Sequence, residues 1–483
     1  MISSSKNLCK EDRFRRSALT ESNLFQSTAA ALEWLEERGS VNQLVVDHIP
    51  FEEMREWSFE PETGDIVHRT GKFFRVHGLR VSADSGSLRE WDQPIIDQPE
   101  IGILGIVARE FDGQLLFLMQ AKLEPGNPAG VQLTPTVQAT RSNYTQVHQG
   151  ARPKYLDYFL NREKSTVLVD QLQFEQGSTF LRKRNRNIIV EVDADVPVEE
   201  DFRWFTLGQI KQLLSVPNLV SMDARTVVSC IPFRERTWQR PTNGVSRNGD
   251  GEHEGELGSF GGRLLASLGD GGRSLHSDDA IQSWLTELKC RYQLSVKRVG
   301  LRELQAWGHR EHRIGHEAGR YFHVMGVRVK ARNREVLNWD QPLVQPTEKG
   351  LIAFFVKEID GVLHFLAQGK VEPGNPDVVA VGPSVHCVLS QESLSDPGSW
   401  SPFTEVALEA PPEAIRYSCI QSEEGGRFYH AENEYRVVEL DPSEGERLPD
   451  GYVWVTLRQL TELLRHGLLN VEARSLLACL SLI

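Results

Sequence analysis

None of the six cysteines (Cys9, Cys230, Cys290, Cys387, Cys419, Cys479) falls into a CxxC or a metal-ligand spacing. That speaks against a zinc site or a disulfide framework and for reduced thiols in a cytoplasmic protein. No apolar run reaches the roughly 18 residues of a membrane span. Residues 1–20 (MISSSKNLCKEDRFRRSALT) contain no apolar h-region, so no signal peptide is expected there. Basic charge is short as well. In 483 residues, 54 Lys and Arg face 67 Asp and Glu, a net charge of −13. Such a balance argues against a whole-chain grip on nucleic acid or an anionic membrane, so a bound anion needs a local basic cluster. GxGxxG, P-loop, GxSxG and HExxH patterns are also missing. Nicotinamide, nucleotide-triphosphatase and serine-hydrolase readings thereby lose their usual support. What remains is ordinary globular composition, 40% hydrophobic and 25% charged.

The chain repeats itself. Residues 112–128 read DGQLLFLMQAKLEPGNP and residues 360–376 read DGVLHFLAQGKVEPGNP, identical at twelve of seventeen positions at an offset of 248. The same offset pairs Trp91-Asp92-Gln93-Pro94 with Trp339-Asp340-Gln341-Pro342, and residues 71–81 with 319–329. A period of this length marks a duplicated domain. The expected layout is a disordered arm over residues 1–20 and an N-terminal repeat over 21–238. A Gly/Ser/Asn-rich flexible linker follows over 239–273, then a C-terminal repeat over 274–483. Within each repeat the patterning gives a helix (29–38 and 280–289), strands flanking an Asp-Gly turn, and a late helix opened by a Thr-x-x-Gln capping box at Thr206 or Thr456. Each repeat is therefore read as an α+β domain, a mixed sheet flanked by helices.

Duplication supplies an internal control, since features common to both copies are explained by the common fold. Two stretches diverge most. Residues 132–150 (QLTPTVQATRSNYTQVHQG) face 380–398, where Arg141, Tyr144 and His148 meet Leu389, Glu392 and Asp396. Residues 175–187 (EQGSTFLRKRNRN) face 423–435, where Lys183, Arg184 and Arg186 meet Ala431, Glu432 and Glu434. In an acidic chain, Arg182, Lys183, Arg184 and Arg186 suit an anionic ligand, guanidinium forks matching phosphate; a solvated charged turn is the plainer alternative. Tyr144 and His148 suit proton transfer. Lys122 and Glu124 recur as Lys370 and Glu372, which points to a hairpin-end ion pair of the fold. His309, His312 and His316 have a helical metal spacing, but Gly308 and Gly315 argue against a helix and no metal site is expected.

Taken together, WDQPII, DGQLLFLMQAKLEPGNP, QLTPTVQATRSNYTQVHQG, LQFEQGSTFLRKRNRN and SMDARTVVSCIPF resemble the NDP-hexose 2,3-dehydratases of deoxysugar biosynthesis, from about Ala30 to Leu482. The resemblance implies two tandem Nudix-like folds, a homodimer, no metal or organic cofactor, and dTDP-4-keto-6-deoxyglucose as substrate. It also implies a 3-ketoreductase that consumes the product. A hydrolase Nudix box is missing from both copies, so the fold would serve as a binding scaffold. On this reading catalysis sits in the N-terminal repeat. Tyr144, His148, Glu175, Lys122 and Glu124 are the catalytic candidates. Trp91, Arg141, Ser142, Asn143, Lys183, Arg184 and Arg186 are the substrate-binding ones, with Trp91 equally suited to a core role. The C-terminal repeat is then degenerate or an auxiliary nucleotide-sugar site. A Nudix-type pyrophosphohydrolase and a non-catalytic nucleotide-sugar-binding protein are the alternatives.

Overall fold

A computed structural model describes residues 8–84, 90–140, 152–233, 259–269, 271–310, 312–332, 336–389, 403–441 and 447–480. The Asp-Gly turns behave as their chemistry requires. Asp112 and Gly113 have φ of 45° and 83°, Asp360 and Gly361 of 50° and 72°. Positive φ at both central positions suits a tight hairpin, here joining strand Gly102–Phe111 to Gln114–Lys122 and strand Gly350–Ile359 to Val362–Lys370. Each hairpin sits in a seven-stranded sheet whose first strand also pairs in parallel, Gly102–Phe111 with Arg184–Glu191 and Gly350–Ile359 with Glu432–Glu439. The capping boxes at Thr206 and Thr456 form as expected and start the helices Leu207–Leu213 and Leu457–Arg465. Apolar side chains of both sheets and of helices Met222–Ser229 and Val471–Cys479 belong to one continuous buried cluster.

Each repeat also has a small antiparallel sheet, and here the copies exchange strands. Leu44–Ile49 pairs with Phe322–Ala331 of the other repeat, and Leu294–Val299 with Arg75–Ala83. The Trp-Asp-Gln-Pro motif latches the exchange. Asp340 accepts from the Arg55 amide (2.7 Å), and its carbonyl accepts from the Trp57 indole (2.7 Å). Asp92 does the same for Gln305 (2.8 Å) and Trp307 (2.7 Å). The following glutamine reaches elsewhere. Gln93 donates to the Ser178 carbonyl and Gln341 to the Gly426 carbonyl, each at 2.8 Å.

Two expected boundaries are corrected. Inside the expected disordered arm, Lys10–Ala18 is a helix with Phe14 fully buried. Inside the expected linker, Phe260–Gly269 is a helix with Leu264 and Ser267 buried. They are repeat equivalents. Ser17 donates to the Leu115 carbonyl and accepts from the Leu207 amide, as Ser267 does with Leu363 and Leu457. Arg13 and Arg263 each hold a strand-end glutamate, Glu191 and Glu439. Only an Arg, a Ser and two apolar positions recur across these helices, too little for local composition to signal order. Packing against the sheet stabilises what propensity does not. The three histidines lie on and around a hairpin, strands Trp307–Arg310 and Arg313–His316, and not on a helix.

Candidate functional site

The parallel pairing of Arg184–Glu191 with Gly102–Phe111 sets Asn185 opposite Gly102. A Cβ at Gly102 would lie 2.5 Å from Asn185 Oδ1. With glycine there, Asn185 accepts from the Gly102 amide (3.1 Å) and donates Nδ2 to Glu175 Oε1 (2.7 Å). Glu175 follows strand Thr166–Phe174 and is only 3% exposed, and among the described residues its Oε2 has no hydrogen-bond partner. Lys183 is equally buried, at 5% exposure, and donates to the Glu100 carbonyl. Burial pushes its ammonium down to about 8, against the attraction of Glu175 and Glu424.

The end of strand Gln114–Lys122 adds the expected ion pair, Lys122 to Glu124 at 2.7 Å. Lys122 also donates to Gln138 Oε1 (2.8 Å), and the Gln138 amide donates to Asp223. Asp223 lies in the first turn of Met222–Ser229, a helix capped by Ser221. Desolvation, reinforced by the charge of Glu175, raises its carboxyl to about 6. Two residues cross from the C-terminal repeat. Arg427 donates to Gln98 (3.2 Å) and lies 4.3 Å over the Phe74 ring. Glu424 is half-buried, and a Cβ at Gly426 would meet Glu424 Oε1 at 3.1 Å and Glu124 Oε2 at 3.7 Å. Desolvation first, then the carboxylates of Asp223, Glu175 and Glu124, raise Glu424 to about 8 against Arg427. The Glu-Pro-Gly-Asn-Pro loops bring these groups together. Gly126 donates to the Gly425 carbonyl (2.8 Å) and Gly374 to the Gly177 carbonyl (2.7 Å). A Cβ at Gly126 would collide with the Phe428 carbonyl, and one at Gly374 with that of Phe180. Glycine is required by the closeness of approach.

Lys122, Glu124, Glu175 and Lys183 thus converge. Alternation along Arg184–Glu191 turns Asn185 and Asn187 inward and Arg184 and Arg186 to the other face. Arg184 is exposed, and Arg186 forms a bidentate pair with Asp170 (2.7 and 2.6 Å). The basic run is therefore divided, only Lys183 entering the cluster. Trp91 packs beside Leu79, Val81 and Ile95 and donates to Gln93 (2.8 Å), so it supports the loop after Glu175 from a strand. Arg141, Ser142, Asn143, Tyr144 and His148 lie outside the described residues; in the chain they follow directly on strand Val137–Ala139, which carries Gln138.

Gln138, Asn185, Asp223, Glu424 and Arg427 were not legible as site residues. A signal existed, because four of them change between copies: Gln138 to His386, Asp223 to Glu472, Glu424 to Gln176 and Arg427 to Thr179. In the equivalent C-terminal cluster both oxygens of Glu423 are hydrogen-bonded. Glu423 accepts from Asn433 (2.5 Å), Tyr435 (3.0 Å) and Gln176 (2.7 Å). His386 bonds Lys370, which pairs with Glu372 at 3.2 Å.

The NDP-hexose 2,3-dehydratase family model matches residues 28–231 and again 278–480. The chain belongs to this family. It is 46% identical over 469 residues to a dTDP-4-dehydro-6-deoxy-alpha-D-glucopyranose 2,3-dehydratase of Saccharopolyspora spinosa, covering 97% of this chain and 94% of that protein. Relatives with the same name from Amycolatopsis orientalis and Streptomyces violaceoruber are 43% and 41% identical, with 97% and 94% of this chain and 93% and 96% of theirs covered. Among solved structures, the crystal structure of a C. elegans Ap4A hydrolase aligns at 13% identity with a TM-score of 0.17, over 25% of this chain and 90% of that one. A likeness of that size carries no argument. Both family-model matches fall within the two repeats, so the family signature is written twice. No described helix is long and apolar enough to cross a membrane.

Proposed function

We infer that the protein eliminates water across C2 and C3 of a dTDP-4-keto-6-deoxyhexose, giving the 3,4-diketo-2,6-dideoxy sugar, in the N-terminal repeat. The observation that carries the reading is Glu175, a buried carboxylate with one oxygen fixed by Asn185 and a buried ammonium, Lys183, beside it. The C4 carbonyl acidifies the C3 proton, and a carboxylate is a competent base for it. A cation in a dry site stabilises the enolate that forms. Collapse of the enolate expels the C2 hydroxyl, which leaves as water when protonated; a carboxyl raised towards neutral pH by burial, such as Asp223, suits that donation. No electron changes hands. Tyr144 and His148 are retained as further proton-transfer groups and Arg141, Ser142 and Asn143 as diphosphate contacts. The enol tautomerises to a reactive dicarbonyl, so a reductase acting at C3 is the fitting consumer. A homodimer in the cytoplasm, where charged sugar nucleotides are made, completes the reading. The parallel strand pair inside each otherwise antiparallel sheet, covered by helices, is consistent with a Nudix-like scaffold.

The test is incubation with dTDP-4-keto-6-deoxyglucose in EDTA, trapping the product with a ketoreductase. Mass loss of one water with an intact diphosphate is expected. Magnesium-dependent release of nucleoside monophosphate would instead establish a hydrolase, and substrate bound but recovered unchanged a binding protein. Glu175→Gln should lower turnover by about 10²–10⁴-fold while substrate still binds; an unimpaired variant removes Glu175 as base.

A further inference from the structure

The two clusters differ at one contact that crosses between repeats. In the C-terminal cluster Gln176 Nε2 donates to Glu423 Oε2 at 2.7 Å. The pseudo-equivalent pair around the N-terminal cluster is Glu424 and Glu175. The turns that carry Gln176 and Glu424 are the same. Thr179 and Phe180 amides bond the Gln176 carbonyl (3.1 and 2.9 Å), and Arg427 and Phe428 amides bond that of Glu424 (3.0 and 2.9 Å). The acceptors match too, since Glu175 and Glu423 are each held on Oε1 by Asn185 or Asn433. Yet among the described residues Glu175 Oε2, buried, lacks the partner that Glu423 Oε2 has. A buried acceptor left bare is unfavourable, and two ionised carboxylates in one cluster repel.

We propose that Glu424, carried by the C-terminal repeat, is a positioning residue of the N-terminal site whose carboxylic proton bonds Glu175 Oε2, the contact the Gln176 amide makes to Glu423. The pair then holds one proton and one negative charge. Glu175 is fixed at both oxygens, and each oxygen keeps a second lone pair for substrate. The groups facing Glu424 are Glu124, Glu175 and Asp223, which favour retaining the proton, and Arg427, which opposes it; Lys183 lies close enough to feel its charge. The consequence for turnover rests on the dehydratase reading, whereas the shared proton does not.

The experiment compares wild type, Glu424→Gln, Glu424→Leu and Gln176→Glu. Without substrate at pH 7, the infrared difference spectrum of wild type minus Glu424→Gln should contain the band of a protonated carboxyl, shifted in heavy water. Gln176→Glu should gain one such band. No band in either difference overturns the proposal. With dTDP-4-keto-6-deoxyglucose, Glu424→Gln keeps the donor and should retain at least a tenth of wild-type kcat, while Glu424→Leu falls on the order of 100-fold with folding checked by circular dichroism. Lys183 titrates in the same range and is common to both proteins, so a shift or flattening of the alkaline limb in Glu424→Gln reports the loss of the Glu424 proton. Equal loss in Gln and Leu variants, or none in Leu, overturns the positioning role. If wild type turns over no sugar nucleotide, the dehydratase reading fails while the spectral arm still decides the proton.

Discussion

Gly126→Ala tests the loop docking on which the composite site depends. The added Cβ has nowhere to go: it meets backbone, the Phe428 carbonyl, which cannot rotate away as a side chain tip would. The loop must lift, and two backbone bonds go with it, Gly126 to the Gly425 carbonyl and the His430 amide to the Gly126 carbonyl, both 2.8 Å. Each contributes about 0.5–1.5 kcal/mol net, and forced overpacking costs a further ~1–3 kcal/mol. A loss of about 3 kcal/mol follows, which lowers Tm by on the order of 10 °C in a domain of this size. Glu124 rides on the same loop, so turnover should drop by about 10²-fold for a displacement near 1 Å. Gly308→Ala is the control, since its Cβ meets nothing within 4 Å; it should leave Tm unchanged or slightly raised. Calorimetry and the dehydration assay on both variants decide. If Gly126→Ala melts within a degree of wild type and turns over normally, the inter-repeat docking does not hold the site together.

Other perturbations separate the remaining claims. Phe14→Ala should cost about 3–5 kcal/mol in urea unfolding, because the ring is fully buried against the first sheet; a midpoint equal to wild type would return residues 10–18 to the status of a free arm. Arg141→Leu, the residue at this position of the other copy, should abolish turnover, and full product release would remove Arg141 from the site. Lys183→Met probes linkage. The folded ammonium titrates at about 8 against 10.5 ordinarily, so between those values the unfolded chain binds more protons and stability rises with pH. The stability of wild type relative to Lys183→Met should therefore be flat below pH 8 and climb above it, by up to about 3 kcal/mol. A parallel pair of pH curves would show that Lys183 is not held in a dry site.

The duplication, the Asp-Gly hairpins and the capping boxes were readable because each is a local rule: turn residues set φ, and a Thr three positions before Gln satisfies its own helix end. Lys122, Glu124, Glu175 and Lys183 were legible as candidates from type and position. Arg184 and Arg186 were grouped with Lys183 because a charge run shows no side. Strand alternation then put Arg184 and Arg186 on the outer face, while Lys183, one residue before the strand, is buried. Phe14 and Leu264 escaped notice because their helices have little intrinsic signal and gain order from the sheet beneath. Glu424 and Arg427 escaped because comparing the copies invites a search within one repeat, whereas they act on the other.

By itself the amino-acid order settled that one unit occurs twice, where its hairpins turn, and which family it joins, since these depend on neighbours along the chain. Which repeat receives strands Leu44–Ile49 and Leu294–Val299 was decided only in three dimensions, because the two small sheets offer nearly equivalent edges. The same holds for the protons on Glu424, Asp223 and Lys183. Their charge states follow from how much water the packed repeats exclude, and no window of sequence contains both walls of that cluster.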